Sequence, residues 1–507
     1  MEGIQNMKKR LIALTIAALV IGTAGTALAA TEHWNDASAQ PGARTATYLS
    51  NATSFETWKN NWEHTKQDYQ QISLSPGRNE TELNFGWYSK KSGFAKIRIS
   101  KSGSMADYKE FSGTSKKGTV VDGVQYYTNK VTVTGLEPNT SYYYQYLLNG
   151  FWQDKAKYQS QGTDSFSMLL VGDPQIGASV SQVPKNGDGT AQSAEIAARN
   201  DSYNWNVTLN SALKAHPDVS MILSAGDQIN ETVKDGSAEK LLEQEREYAG
   251  FLSSQVLRSV PLATTIGNHD SLTTGYQNHF NIPNPYTQEK GATAAGNGYY
   301  YRYGNALFIV INTNNYNAAD HKALIDKAVK SFPNAKWKIL MFHQDIYGSG
   351  LDHSDSDGII LRTQLTPIID EYQIDVVLQG HDHTYSRTYQ LTGDAKAHAK
   401  YDKSVDLDDS AVKAAFLAQN QCYQIVETGN GTITDPEGTV YFATNSATGS
   451  KYYELIPMQQ DYIAARSQTW TPTYSLIQID QNQFTINTYE AATGKPIDQS
   501  YTIVKTK

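Results

Sequence analysis

Asp375-Val-Val-Leu-Gln-Gly-His-Asp-His383 is a short apolar run that ends in a glycine and is followed at once by two histidines one residue apart. A brief apolar run bounded by a turn signal reads as a buried strand. Imidazoles placed just past such a strand stand at a sheet edge, where side chains from several strands can converge. The same grammar occurs four more times. Leu170-Val171 precedes Gly172-Asp173-Pro-Gln175, and Ile222-Leu223 leads to Gly226-Asp227-Gln-Ile-Asn230. Thr265-Ile266 precedes Gly267-Asn268-His269-Asp270, and Met341-Phe342 precedes His343. In open α/β sheets, ligands bind outside the carboxyl ends of the strands. One Gly-Asp alone is a turn, and one histidine alone is more often a satisfied polar residue. Five strand ends in order, each carrying Asp, Asn or His, read as a site.

The stretches between these ends read as an α/β layered domain, because strands alternate with helix-compatible segments. Helices are expected at about 191–215, 238–257, 318–332 and 361–372. Later strand-like runs, Thr439-Val-Tyr-Phe-Ala443, Tyr474 to Ile479 and Phe484 to Thr488, are expected in a second sheet of the same domain. The region before residue 163 has a different pattern. Ile72-Ser-Leu-Ser, Leu83 to Tyr88, Ala95 to Ile99 and Lys130 to Thr134 are short alternating segments separated by Gly, Pro and Asn. Leu136-Glu-Pro-Asn-Thr-Ser-Tyr142 resembles the tyrosine corner of sandwich domains. Residues 66–163 are therefore expected to form a fibronectin type III-like β-sandwich, and 164–507 the α/β domain.

The first 29 residues read as a secretory signal peptide. Lys8-Lys9-Arg10 is a basic start, Leu11 to Ala24 an apolar core too short to span a bilayer, and Ala27-Leu28-Ala29 a small-residue cleavage pattern. The expected location is secreted, extracellular or cell-wall associated, with cell-surface association open and no stable membrane insertion. Residues 30–65 show weak periodicity and read as a lead-in. The chain has 507 residues, 43 Lys+Arg against 51 Asp+Glu, and no basic run, which argues against nucleic acid as a binding partner. Cys422 is the one cysteine, so no internal disulfide supports the exported fold; it is expected to be a buried small hydrophobe. The polar insertion from Gln390 to Gln421 reads as a surface excursion or a pocket wall. Arg387 is expected in a structural ion pair.

Three His, two Asp and one Asn form a nitrogen and oxygen donor set without thiolate, suited to Fe, Zn or Mn. Two such ions about 3.5–4 Å apart need a shared anion, and a carboxylate is suited to that role.

The series Gly-Asp, Gly-Asp, Gly-Asn-His-Asp, His, Gly-His-Asp-His resembles the calcineurin-like metallophosphoesterases. With the preceding sandwich, Gly380-His-Asp-His-Thr-Tyr-Ser-Arg387 looks most like the purple acid phosphatase branch. The resemblance implies a four-layer αββα domain preceded by an all-β sandwich, and two bound metal ions. It implies Asp173 and His383 on the first metal, Asp227 as the bridge, and Asn268, His343 and His381 on the second. It also implies His269 as the phosphate contact and proton donor, Asp270 as the group that orients it, and His353 as a pocket histidine. Two departures stand out. The branch carries a tyrosine three residues after the bridging Asp, where this chain has Asn230. Other members carry a histidine two residues after the first Asp, where this chain has Gln175. Either Gln175 or Asn230 could complete the first site through a neutral carbonyl oxygen, and the protein is expected to be colourless.

The implied chemistry is attack of metal-activated hydroxide on a phosphate ester, with His269 or His353 protonating the leaving oxygen. The expected function is a secreted phosphomonoesterase. A phosphodiesterase acting on nucleotides, cell-wall polymer or lipid head groups is the second reading. A surface-binding protein with a decayed phosphatase site ranks last, because the other ligands are all present.

Overall fold

The computed structural model describes residues 52–184, 189–351, 353–354, 357–398 and 409–506. The expected signal peptide and the lead-in up to residue 51 lie outside the described residues. So do Asp352 and Asp355, which flank His353, and Lys400, Asp402 and Asp408 of the polar insertion.

The last part of the lead-in is a helix, Ala52–Thr65. Phe55, Trp58 and Trp62 recur at helical spacing, a signal that sparse aromatics among polar residues concealed. Trp62 is buried against the later helices, and Phe55 packs edge-on to Tyr203. Burying the Trp62 side chain is worth about 3 kcal/mol.

Two antiparallel sheets follow. One orders its strands Ser73–Pro76, Glu82–Ser89, Val124–Thr134, Thr114–Val121; the other is built on Lys96–Ser100 and Ser141–Leu148. Their inner faces share one core that includes Phe85, Trp87, Ile97, Val131 and Tyr144. Ser141–Leu148 shows the period-two pattern of a strand with one wet face: Tyr142, Tyr144 and Tyr146 point inward. The Tyr142 hydroxyl accepts the Glu137 amide at 2.8 Å, the contact a tyrosine corner makes. Lys109–Ser112 and Thr114–Val121 escape a reading by hydrophobicity because they are edge strands rich in Lys, Ser and Thr, a composition that discourages edge-to-edge pairing.

After residue 165 the described residues form two seven-stranded sheets packed face to face and one small hairpin-like pair, Gln390–Thr392 with Gln424–Glu427. The first runs Leu262–Thr264, Val219–Ser224, Phe166–Val171, Thr473–Ile479, Gln483–Glu490, Tyr501–Val504, Thr432–Thr434. The second runs Tyr299–Tyr303, Ala306–Val310, Trp337–Met341, Val376–Gln379, Val440–Ala443, Tyr385–Thr388, Ile463–Ser467. Met168, Leu170, Met341 and Leu378 meet between the sheets. Leu169 and Val171 face out under helices Ala194–Ala215 and Ala238–Leu252. Leu340 and Val377 face out under Ala318–Ser331 and Asp357–Glu371. The layer order is helix, sheet, sheet, helix. Strands covered on both faces read as unbroken apolar runs, which is why Phe166–Val171 and Val376–Gln379 stand out in the sequence.

One expectation is corrected. Val440–Ala443 lies in the second sheet, but Thr473–Ile479 and Gln483–Glu490 belong to the first, where Thr473–Ile479 pairs antiparallel with Phe166–Val171. An all-apolar strand needs a hydrogen-bonded neighbour on each side, and distant chain supplies one here. Cys422 is buried, and Arg387 is buried and ion-paired to Asp498 at 2.8 Å. No helix among the described residues is long and apolar enough to cross a membrane.

Candidate metal centre

The parallel strands of both sheets end at one edge of the molecule, and their turns are tied together there. The Gln175 amide donates to the Asp227 carbonyl at 2.8 Å, and the Gly380 amide donates to the His343 carbonyl at 3.0 Å. Asp173, Gln175, Asp227, His381 and His383 all have positive φ, between 34° and 71°. Non-glycine residues in this region persist only where their surroundings hold them, and such strain gathers at functional sites. The glycine before Asp227 is required by close approach. At Gly226, with φ of 107°, a Cβ would sit 2.3 Å from His343 Nδ1.

Ligand atoms of Asp227, His343 and His381 all lie within 4.8 Å of one another, and all three residues are buried. His343 Nδ1 donates to the Ala225 carbonyl at 2.9 Å, which leaves Nε2 facing inward. Around Nε2 stand Asn268 Oδ1 at 2.9 Å, His381 Nδ1 at 3.1 Å and Asp227 Oδ2 at 3.3 Å. A neutral His343 would point its lone pair at other lone pairs; only a positive species makes the cluster favourable. Burial alone would lower the His343 pKa, but Asp227 and Asp173 raise it to about 10. Burial works upward on Asp227, while the His343 and His269 imidazoles prevail and hold it below the carboxylate range. A metal cation places the same positive charge at this point and leaves the imidazole neutral.

Asp173 and His383 stand beside this cluster. His383 Nδ1 donates to the Lys451 carbonyl at 2.8 Å, and its Nε2 lies 3.7 Å from Asp173 Oδ1. The His381 amide donates to both Asp173 carboxylate oxygens at 3.0 Å. Burial pushes Asp173 up to about 8 and His383 well below the imidazole range, so neither charge is stable there without a cation. The Gln175 side chain is buried; its Nε2 reaches Asn230 Oδ1 at 3.4 Å, and its Oε1 is an acceptor without a hydrogen bond. Inward-facing nitrogens, two carboxylates and an orphaned carbonyl oxygen fit a pair of metal ions.

The expected proton-transfer groups are placed unevenly. The His269 amide donates to Asp227 Oδ1 at 2.9 Å, and its ring Nδ1 donates to the Asn230 carbonyl. The orienting partner of His269 is thus that backbone carbonyl rather than Asp270. Asp270 instead accepts the Gly267 amide at 2.9 Å and the Tyr248 hydroxyl at 3.3 Å, bracing the turn that carries Asn268. Sequence spacing put Asp270 next to His269, but the turn directs its carboxylate back toward the fold. Other buried carboxylates brace other turns in the same manner. Asp201 accepts the Gly177 and Ser179 amides, Glu247 those of Asn230 and Glu231, and Asp382 those of Ser349 and Gly350. His353 packs against His381 with ring centroids 3.8 Å apart and the rings tilted by 42°, so it does reach the site.

Sequence reasoning missed one wall. Ser446 and Thr448 hydroxyls donate to the Asp173 and Pro174 carbonyls at 3.1 and 2.7 Å. Tyr453 stands perpendicular to both His353 and His383. Trp152, Tyr347 and Tyr385 lie elsewhere: Trp152 packs under Arg98, Tyr347 under Arg362, and Tyr385 bonds Asp498. The missed signal was available. Asn445-Ser-Ala-Thr-Gly-Ser-Lys451 follows Val440–Ala443, another parallel strand of the second sheet.

With neither the tyrosine nor the histidine alternative present, His383 is one of few strong donors for the first metal. We expect His383→Ala to empty its site more completely than His381→Ala empties the second, where Asn268, His343 and Asp227 remain. Elemental analysis of the two variants reads this directly, and equal metal loss would refute the assignment.

Residues 166–385 match the family model of the calcineurin-like phosphoesterases, and residues 69–160 match that of the purple acid phosphatase N-terminal domain. Two uncharacterized proteins of Mycobacterium tuberculosis, from strains CDC 1551 and H37Rv, are each 32% identical over 78 residues, which is 15% of this chain and 15% of theirs. Among solved structures, a purple acid phosphatase from yellow lupin (Lupinus luteus) seeds matches with a TM-score of 0.58 at 14% identity, over 86% of this chain and 75% of that one. PhoD matches at 0.51 and 11% identity, over 85% of this chain and 93% of its own. At such identities the likeness is one of fold. Residues 166–385 are thus a calcineurin-like phosphoesterase domain, and residues 69–160 before them a purple acid phosphatase N-terminal domain.

Proposed function

We propose that this phosphoesterase is an exported phosphatase that hydrolyses phosphate monoesters. The observation that carries the reading is the convergence of Asp227, Asn268, His343 and His381 beside Asp173 and His383, with inward-facing donors that call for positive charge. Asp173 and His383, with the Gln175 carbonyl, would hold one ion; Asn268, His343 and His381 would hold the other; Asp227 would be shared. When bound, the ions lower the pKa of water and neutralise charge on the phosphoryl oxygens. The donor set suits Zn, Mn or Fe. The chain's own part is positioning and proton transfer. Carbonyls of Ala225 and Lys451 fix the tautomers of His343 and His383, so that each presents Nε2. The Asn230 carbonyl accepts a hydrogen bond from His269 Nδ1, leaving its Nε2 to act on the substrate. Burial lowers the His269 pKa, and the Asp227 carboxylate opposes part of that shift. His353, packed against His381, is a second donor to the leaving oxygen.

Parallel assays on p-nitrophenyl phosphate and bis-p-nitrophenyl phosphate, with metal analysis, test the proposal. A monoester preference is expected. Faster turnover of the diester would favour the diesterase reading. Inertness toward both with metals bound would favour the surface-binding one. Export rests on the basic start, short apolar core and Ala27-Leu28-Ala29. Secreted protein beginning at Ala30 in N-terminal sequencing would support it.

A further inference from the structure

The side chains that converge on His343 Nε2 come from two different sheets. Asn268 follows strand Leu262–Thr264 at the edge of the first sheet, whereas His343 follows Trp337–Met341 in the second. Asn268 Oδ1 and His343 Nε2 meet at 2.9 Å, so the gap between the two turns decides whether both can serve one ion. Apolar packing between the sheets is non-directional and keeps the layers about 10 Å apart. It does not fix turns that lie beyond the sheet edge. A directional tie between the turns is needed there.

Residues 312–314 supply that tie. They continue strand Ala306–Val310, which pairs in parallel with Trp337–Met341, Val310 beside Met341, and so they emerge next to His343. From there Asn314 reaches across to the first sheet. Its Nδ2 donates to the carbonyls of Ile266 and Gly267 at 3.1 and 3.2 Å, the two residues before Asn268. Its Oδ1 accepts Gln344 Nε2 at 2.9 Å, and Gln344 follows His343 directly. One carboxamide thus holds both ligand turns, with its donor on one and its acceptor on the other. Its neighbours hold it in turn. Asn312 Oδ1 accepts the Asn314 amide at 3.2 Å and Asn314 Nδ2 at 3.0 Å, while Asn312 Nδ2 donates to Thr293 Oγ1 at 2.9 Å. Thr313 Oγ1 donates to Gln344 Oε1, so both ends of the Gln344 amide are engaged. Asn312, Thr313 and Gln344 are buried, where water competes little with such bonds.

We propose that Asn314 is a positioning residue that sets the spacing of Asn268 and His343, and through it the affinity of the second metal site. This rests on the two-metal reading above and names a residue outside the ligand set on which that site depends.

The test uses the full protein and the variants Asn314→Ala, Asn314→Asp, His343→Ala and Asn305→Ala. Asn305 stands at the other end of the same strand, where its Nδ2 donates to the Asp480 carbonyl at 3.0 Å, and it controls for the loss of a structural hydrogen bond. Readouts are calorimetric metal titration, the absorption spectrum of the cobalt(II)-loaded protein, and melting of the metal-free protein. For Asn314→Ala we expect one binding step to weaken by about 10- to 100-fold and the other by less than about threefold. The cobalt band that changes should be the one that His343→Ala removes. Asn314→Asp keeps the acceptor for Gln344 but sets a carboxylate oxygen against the Ile266 and Gly267 carbonyls, so it should weaken the same step at least as much. Asn305→Ala should lower the melting temperature as much as Asn314→Ala does and leave both binding steps and the spectrum at wild type. Equal weakening of both steps in Asn314→Ala, metal loss in Asn305→Ala to match it, or unchanged metal affinity overturns the proposal. If the wild type binds one ion only, the two-metal reading fails by itself. The affinity and spectrum of that ion in Asn314→Ala then still decide whether Asn314 positions Asn268 and His343.

Discussion

Asp227→Asn is expected to lower kcat by about a thousandfold or more and to leave the protein with fewer than two metal ions per chain. The amide nearly preserves the shape of the carboxylate, and its Oδ1 still accepts the His269 amide, so the turn keeps its hydrogen bond. What is lost is charge and one acceptor oxygen. A carboxylate can face two cations at once; an amide offers one oxygen and a donor group where an acceptor is needed. Metal ions contribute several kcal/mol of charge stabilisation to phosphoryl transfer, and each 1.4 kcal/mol is a factor of ten in rate. His343 also loses the carboxylate 3.3 Å from its Nε2. Activity assays with elemental analysis measure both consequences, while circular dichroism checks that the fold is kept. Full activity at normal metal content would reject the two-metal reading.

Gly226→Ala should be nearly as damaging, although it changes no donor atom. A Cβ there would sit 2.3 Å from His343 Nδ1 and 2.7 Å from its Cγ, and φ at this position is 107°. The imidazole must turn away. That breaks its hydrogen bond to the Ala225 carbonyl and moves Nε2 off Asp227. Changes to groups that orient a metal ligand typically cost about 10- to 100-fold in metal affinity. Gly236→Ala is the fitting control, because Gly236 also has positive φ, 66°, but faces open space. It should cost about 1–2 kcal/mol of backbone strain and leave metal affinity unchanged. Metal titration followed by thermal melting separates the two. Equal metal affinity in both variants would show that the approach of Gly226 to His343 does not matter.

These two predictions also mark what a linear reading can reach. The ligand turns were legible because doubly covered strands advertise themselves as apolar runs, and each ends in a glycine followed by Asp, Asn or His. Asp227, His343 and His381 come together from three such turns spread over 155 residues of chain. Helix Ala52–Thr65 was not legible because its apolar face consists of widely spaced aromatics. The edge strands of the sandwich were not, because an edge is kept polar. The wall from Ser446 to Tyr453 was passed over because nothing local says that this polar loop returns to the turns of Asp173 and His383.

The amino-acid order alone established that strands end in metal-binding residue types and that two folding patterns follow one another along the chain. Those are local properties: a run of apolar residues, a glycine, a donor side chain. Three matters were settled only in three dimensions. Thr473–Ile479 pairs with Phe166–Val171 rather than joining the second sheet, since pairing depends on which edge is open after the layers form. His269 is oriented by the Asn230 carbonyl while Asp270 braces the backbone, since the path of the turn decides where each neighbouring side chain points. The wall from Ser446 to Tyr453 closes on the turns of Asp173 and His383 through hydrogen bonds between residues some 270 and 70 positions apart. Contacts across such distances leave no local trace, because their free energy is realised only when packing of the two sheets brings the ends together.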